Sequence, residues 1–285
     1  MIHVAVTVDV ENPQTPLFEK RFSDNRIWSN GWGIEKIIDV LNRYNIKGAF
    51  FTNVYEYPIW GKKEMERIVK YIHNQGHDVE LHTHPIWIDK KRREHMFQFS
   101  YEEQTSVLQH GIDLIEKWCG RRPYCHRAGA YGFNKDTLGA CINAGIAVDS
   151  SSFYGHANCR YILAENDPVV YKNIIEMPVT FFNRNDSYVK TDINWMSKNE
   201  FTCLVNRMKV ESHSFINLFL HSYSLTKTND SFKTFGEDRN SLKKFEHIVE
   251  FVSDRNEFIV ESLYDSANAY FPGVIHSGIS CEMIG

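Results

Sequence analysis

The sequence has little that would attract a nucleic-acid backbone. Its 285 residues include 32 Lys and Arg against 36 Asp and Glu, a formal net charge of -4 at pH 7. The basic residues are scattered along the chain rather than gathered into a stripe. Because nucleic acids are bound by clustered basic residues, we expect no nucleic-acid partner.

Membrane-spanning runs and paired cysteines are also missing. No apolar run approaches the roughly 20 residues needed to cross a bilayer. A secretory leader has a positively charged region followed by an apolar one. The opening segment "MIHVAVTVDV" does not have this pattern. The six cysteines form no CxxC pair, which favours reduced thiols over a disulfide framework in a chain of this length. We therefore expect a cytoplasmic protein without a membrane span, and the sequence leaves its oligomeric state open.

The sequence does contain a repeated succession of strands and helices. "IHVAVTVDV" alternates apolar with smaller or polar residues, and "GIEKIIDVLNRYNIKGAFFTNV" has a helical apolar face followed by an apolar run. Ser100 with Glu103 forms a capping pattern that begins a helix, and Gly120 is placed to end it. This order predicts an α/β fold with a parallel sheet, built as a barrel. We predict one domain over residues 1–270 and a C-terminal tail, 271–285.

Ionisable side chains follow several of the predicted strands. They are Asp9 with Glu11, His82 with His84, Arg127, Asp149 and His221. Catalytic groups of (β/α) barrels lie where strands end in loops at the C-terminal face, so we expect a site there. His82 and His84 stand at positions i and i+2, which point to the same face of a strand. Two metal ligands and two solvated strand-end histidines both agree with that spacing.

The order of these motifs resembles the polysaccharide deacetylase family, the NodB-homology proteins similar to carbohydrate esterase family 4. "TVDVEN" is similar to the first family motif, "GHDVELHTHP" to the second, "HRAGAYG" to the third, "VDSSS" to the fourth and "LFLHS" to the fifth. The resemblance runs from the first residue to about residue 265. It implies a deformed (β/α)7 barrel and an enzyme that removes an acyl group from a sugar by hydrolysis.

The resemblance also implies roles for individual residues. Asp9 corresponds to the general base, Arg127 to the partner that holds its charge, and His221 to the general acid. Asp149 is expected to hold the imidazole of His221 or to raise its pKa. The backbone N–H of Tyr131 is a candidate for the oxyanion hole.

The metal ligands are where the sequence departs from the usual family pattern. The second Asp of the first motif is replaced by Val10, and the two histidines are separated by two positions instead of four. The "DVE" and "HxHP" motifs resemble a divergent branch in which Glu11 takes the place of the missing Asp. We therefore predict a divalent ion, zinc, bound by Glu11, His82 and His84. Two imidazoles and one carboxylate with an open position for water suit a catalytic ion.

Together these features predict a hydrolase that removes an N-acyl group, acetyl or formyl, from a small-molecule sugar or sugar-linked intermediate in surface polysaccharide biosynthesis. Loop aromatics such as Trp87 are candidates for stacking on the sugar ring. The polar segments 13–32 and 183–198 are expected to form the rim that selects the substrate. Two alternatives stay open: a metal-free amidohydrolase similar to allantoinase, and a carbohydrate-binding protein without catalysis.

Overall fold

The computed structural model describes residues 1–13, 25–163, 165–228 and 235–277. Its helices are α1 Ile34–Arg43, α2 Tyr57–Trp60, α3 Lys62–Asn74, α4 Tyr101–Cys119, α5 Lys135–Asn143, α6 Lys198–Glu211, α7 Arg239–Ser253, α8 Leu263–Tyr270 and α9 Val274–Ser277. Its strands are β1 Ile2–Val10, β2 Ala49–Thr52, β3 Asp78–Thr83, β4 Cys125–Ala128, β5 Val148–Asp149, β6 Val169–Tyr171, β7 Ile174–Glu176, β8 Phe181–Arg184, β9 Ser187–Lys190, β10 Phe215–His221, β11 Thr226–Thr228, β12 Phe235–Glu237 and β13 Phe258–Val260.

A curled sheet of mostly parallel strands forms the centre of the fold. Its order is β10, β1, β2, β3, β4, β5, β7, β6, and only β6 runs antiparallel to its neighbour. The short strand β13 pairs with the beginning of β1, whereas β2 pairs with its end. A bridge between Asp192 and Phe219 ties the segment after β9 to β10. The predicted α/β fold of the deformed (β/α)7 type is confirmed.

Alternation along the strands separates two layers of side chains. In β1, Val4, Val6, Val8 and Val10 are fully buried in the main core, which the helices cover. Asp9, between two of these valines, points into the curve of the sheet instead. A strand of this kind buries one face against helices and presents the other to the barrel interior.

Local signals in the sequence set the bounds of the helices. Ser100 accepts the N–H of Glu103 while the Glu103 carboxylate accepts the N–H of Ser100, so the predicted capping box begins α4. Gly120 has φ +75° and ends the same helix, since a residue without a Cβ adopts this left-handed conformation at little cost.

The predicted tail and rim are only partly within the described residues. In the predicted tail, Ile275 is 2% exposed and packs in a core cluster at one end of the barrel, while residues 278–285 lie outside the described part. Of the predicted rim, residues 14–24 also lie outside it, and 183–198 contains the end of β8 and all of β9. None of the helices described is long and apolar enough to cross a membrane.

Candidate metal centre and catalytic cleft

The carboxyl ends of β1, β3 and β10 open into a cavity of about 1120 Å³. The residues predicted to act here that line it are Asp9, Glu11, His82, His84, Trp87, Tyr131 and His221. Parallel strands put their carboxyl ends at the same edge of a sheet, so side chains far apart in sequence meet there.

Glu11, His82 and His84 form a buried cluster of metal-ligand type. One potential ligand atom from each lies within 4.8 Å of the others. Glu11 Oε2 is 3.0 Å from His84 Nε2 and 3.5 Å from His82 Nε2. His82 Nδ1 lies 3.0 Å from the Arg127 carbonyl oxygen, to which it donates a hydrogen bond. The lone pair of His82 is therefore on Nε2, the atom that faces the carboxylate.

The unsatisfied atoms of this cluster fit a divalent ion. Glu11 Oε2 and His82 Nε2 are buried and have no hydrogen-bond partner of suitable geometry, although Glu11 Oε2 lies 3.0 Å from His84 Nε2 and 3.5 Å from His82 Nε2. Buried polar atoms normally have a partner, so both atoms are available to a cation between them. A carboxylate oxygen and imidazole nitrogens are ligands that zinc and related ions accept.

The backbone beside His84 is shaped to admit its ring. A Cβ on Gly129 would lie 2.4 Å from three atoms of the His84 imidazole. Real Cβ atoms essentially never come this close to another heavy atom. Glycine at this position therefore lets the ring lie between β3 and the loop after β4.

Asp9 and Arg127 form a buried ion pair next to the cluster. One guanidinium nitrogen of Arg127 donates to Asp9 Oδ1 at 2.7 Å, and another donates to Thr7 Oγ1 at 3.1 Å. Asp9 Oδ2 is 3.7 Å from His82 Nε2 and so faces the cluster of Glu11, His82 and His84. Burial raises the pKa of Asp9, but the Arg127 guanidinium, followed by the His82 and His221 imidazoles, acts in the opposite direction, and the net effect is a pKa below its usual value. Asp9 is thus held as a carboxylate.

The partner of His221 is Asp192, which the sequence analysis missed. Asp192 Oδ2 lies 3.5 Å from His221 Nδ1 and 3.1 Å from Lys190 Nζ. Burial lowers the pKa of His221 and the Lys190 ammonium lowers it further, against the opposing effect of Asp192. The residues Asp192 and Lys190 belong to the 183–198 segment, so the only signal in the sequence was the pair of charges in "VKTDINW".

The predicted contact between Asp149 and His221 is wrong. Asp149 Oδ1 instead lies 2.6 Å from His126 Nδ1 and accepts the hydroxyl of Ser151 at 3.0 Å. The reason is strand alternation: Asp149 pairs in register with His126, and both side chains turn toward Cys141 on α5. That layer lies behind the sheet and not in the cleft.

Tyr131 and Trp87 both line the cavity. Tyr131 and the preceding Ala130 have positive φ values of 58° and 48°, a conformation that non-glycine residues adopt mainly where the surrounding structure imposes it. The Tyr131 hydroxyl oxygen accepts a hydrogen bond from Lys190 Nζ at 2.9 Å. Trp87 is half-buried, and the guanidinium of Arg92 lies 4.5 Å from its ring centroid.

Comparison with known proteins agrees with this architecture. A sequence model of the family described as polysaccharide deacetylase matches residues 28–148. A Mycobacterium smegmatis protein assigned by name to the polysaccharide deacetylases has a similar structure, with a TM-score of 0.65 and 16% identity over 94% of this chain and 89% of its own. PuuE allantoinase has a TM-score of 0.63 and 11% identity over 95% of this chain and 91% of its own.

A further similar structure belongs to a protein without the family's activity. It is a carbohydrate esterase family 4 pseudoenzyme from Bacillus anthracis, with a TM-score of 0.50 and 13% identity over 92% of this chain and 64% of its own. No curated protein matches the sequence. At these identities the structural likeness shows a shared fold, and the chemistry has to be argued from the cleft itself.

Proposed function

We propose that this chain is a member of the polysaccharide deacetylase family, whose model it matches over residues 28–148, and a metal-dependent hydrolase that removes an N-acyl group, acetyl or formyl, from a sugar or sugar-linked intermediate. The match to the polysaccharide deacetylase model supports a carbohydrate deacetylase that acts on an amide bond. The observation that carries the metal dependence is the buried set of Glu11, His82 and His84 beside the ion-paired Asp9.

The proposed ion supplies electrostatic activation. Glu11, His82 and His84 would hold a divalent ion, which when bound would lower the pKa of a water and polarise the acyl oxygen. Zinc is the proposed ion because two imidazoles and one carboxylate are a ligand set typical of its catalytic sites.

Asp9 is placed to act as the general base. Its Oδ1 accepts a hydrogen bond from Arg127, which leaves Oδ2 directed toward the ligand cluster. When the water oxygen attacks the acyl carbon, Asp9 accepts the proton that the water loses. Arg127 fixes the direction of the carboxylate and keeps it charged before the reaction.

His221 is placed to act as the general acid. As the bond between carbon and nitrogen breaks, His221 donates a proton to the departing amine, and the acyl group leaves as a carboxylic acid. Asp192 orients the ring through Nδ1 and stabilises its protonated form. The proposed substrate is a small acylated sugar of surface polysaccharide biosynthesis, bound in a cavity whose walls include Trp87 and Tyr131.

A reducing compartment, the cytoplasm, fits the state of the cysteines. The described residues contain five cysteines, all of them free thiols.

The first test is metal content, measured by mass spectrometry on protein purified without chelator or affinity nickel. The wild type should carry about one divalent ion per chain, and Glu11→Gln, His82→Ala and His84→Ala should each lose it. His156→Ala is the matched control, because His156 lines the same cavity outside the cluster. Release of acetate or formate from N-acylated sugars should stop on chelation and return with the ion.

The departure of the histidine spacing from the usual family pattern favours one competing function, a metal-free amidohydrolase. It predicts that the wild type holds no ion, even after reconstitution, and that chelators leave hydrolysis unchanged. That result would overturn the metal-dependent mechanism. A carbohydrate-binding protein without catalysis predicts sugar binding with no turnover under any metal, and it gives no reason for Asp9 and His221 to lie side by side at the ends of β1 and β10.

A further inference from the structure

The backbone that carries Glu11 is held from two sides. On one side, the hydroxyl of Ser222 accepts the Glu11 N–H at 3.3 Å and donates to the Glu11 carbonyl at 2.7 Å. On the other side, Asn12 is fully buried; its N–H and its Nδ2 donate to the two carboxylate oxygens of Glu56 at 2.9 and 2.6 Å. Asn12 Oδ1 also accepts the N–H of Arg26 at 2.8 Å. Asn12 Nδ2 also donates to Asn25 Oδ1 at 3.3 Å, so moving Asn12 would break four hydrogen bonds.

Glu56 is itself fixed by further donors. It lies in the single helical turn Val54–Glu56 after β2 and is 1% exposed. Besides the two bonds from Asn12, it accepts the indole N–H of Trp60 at 3.0 Å and Asn53 Nδ2 at 3.3 Å. Four N–H donors thus surround a carboxylate that is not among the residues lining the cavity. Such a group acts on the site only through its neighbours.

The position of Glu11 explains why it needs this support. β1 ends at Val10, whose partner in β2 is Thr52, so Glu11 lies one residue beyond the last paired position of the strand. The ladder hydrogen bonds that fix Asp9 therefore do not fix Glu11. A metal ligand displaced by about 1 Å loses its coordination geometry, so something outside the sheet has to hold it.

We propose that Glu56 is a positioning residue of the metal centre, which acts through Asn12 to hold Glu11 in contact with His82 and His84. The inference rests on the proposed metal site. It assigns to Glu56 no contact with substrate and no proton transfer.

The test compares the zinc affinity of chelator-stripped protein by isothermal titration calorimetry. Glu56→Gln has almost the same shape, but its amide group directs N–H donors at the Nδ2 donor of Asn12. We expect it to weaken zinc binding about 10- to 100-fold. The exchange variant Asn12→Asp with Glu56→Gln reverses donor and acceptor in this side-chain bond and should recover part of the loss, because the Trp60 indole N–H, which donates to the same oxygen, keeps its direction.

Glu176→Gln is the matched control, because Glu176 is also fully buried and accepts a backbone N–H, from Ser152 at 2.9 Å, with no link to Glu11. It should bind zinc as the wild type does. If Glu56→Gln fails to fold, Trp60→Phe, which removes one donor to the same carboxylate, should show a smaller weakening.

The outcomes separate this inference from the function on which it rests. Wild-type protein that binds no divalent ion overturns the proposed function. If the wild type binds zinc and Glu56→Gln binds it with equal affinity, only the positioning role is overturned. If Glu56→Gln is unfolded, equal affinity in Trp60→Phe has the same consequence. Weakening in Glu56→Gln that the exchange variant does not repair also contradicts it, because the loss would then not come from the contact with Asn12.

Discussion

Replacing Arg127 by Met should leave Asp9 as a buried charge without its ion-pair partner. Arg127 is fully buried between the rings of Phe51 and Phe219, and besides Asp9 its guanidinium donates to Thr7 and to the carbonyl and hydroxyl oxygens of Ser150. Met fills much of the same volume and supplies no donor. Breaking a buried ion pair from one side costs about 3–5 kcal/mol, so we expect the free energy of unfolding to fall by that amount and Tm to fall by about 10 °C.

The size of this loss should depend on pH in a way that identifies Asp9. In the wild type the pKa of Asp9 is lowered, so the residue contributes stability above its unfolded-state pKa and loses it as pH falls through the folded-state pKa. Without Arg127, burial raises the pKa of Asp9 and the variant gains stability as the carboxylate becomes protonated. The difference in the free energy of unfolding between the wild type and Arg127→Met should therefore become smaller as the pH falls from about 8 to about 5.

Urea unfolding of both proteins across this range, with chelator and with added zinc, measures the gap and shows whether metal loss contributes to it. The double variant Asp9→Asn with Arg127→Met has no buried charge at this position and should be more stable than Arg127→Met alone at neutral pH. A gap that stays constant with pH, or a double variant no more stable than the single one, would refute the assignment of the cost to Asp9.

Two further predictions concern the acid and the ligand cluster. Lys190→Met removes a cation that lowers the pKa of His221, so the alkaline limb of the pH profile of kcat/KM should move up by about one pH unit. Asp192→Asn removes an anion that raises this pKa and should move the limb down. An alkaline limb that stays in place in both variants would count against His221 as the general acid. Gly129→Ala places a methyl group against the His84 ring and should weaken zinc binding, measured by calorimetry, at least about tenfold. The control Gly139→Ala, in α5, should bind zinc as the wild type does. Equal zinc affinity in the two variants would contradict the role of His84 as a ligand.

The parts of the site that lie at strand ends were predictable from the sequence. An apolar alternating run that stops at a polar residue gives the end of a strand, and in a parallel barrel all such ends meet at the same face. This reasoning brings Asp9, His82, Arg127 and His221 together; in the structure Asp9, His82 and His221 line the cavity, and Arg127 is fully buried beside it, ion-paired to Asp9. The same reasoning could not distinguish the two faces of β5, which is two residues long, so Asp149 was expected in the cleft although it turns toward His126.

The groups that tune the cleft come from segments whose position no local pattern determines. Lys190 is 59 residues from Tyr131, and Asp192 is held beside β10 by a bridge to Phe219. Glu56 follows β2 in a short helical turn, where an acidic residue reads as ordinary surface. Each of these contacts depends on how a loop folds back over the sheet, which is a property of the tertiary structure and not of residue spacing.

The changed spacing of the metal motifs follows from the same alternation that directed Asp149 away. Val10 stands where the family's usual second Asp would be, and it is fully buried in the helix-covered core, so a carboxylate there would face apolar side chains. Glu11, one residue further, is on the cleft side with Asp9, and its longer side chain reaches toward His82 and His84. Moving a ligand past the end of the strand removes it from the support of the sheet. The proposed ligand set therefore depends on the bonds from Ser222 and, through Asn12, from Glu56, which hold the backbone of Glu11 where the sheet does not.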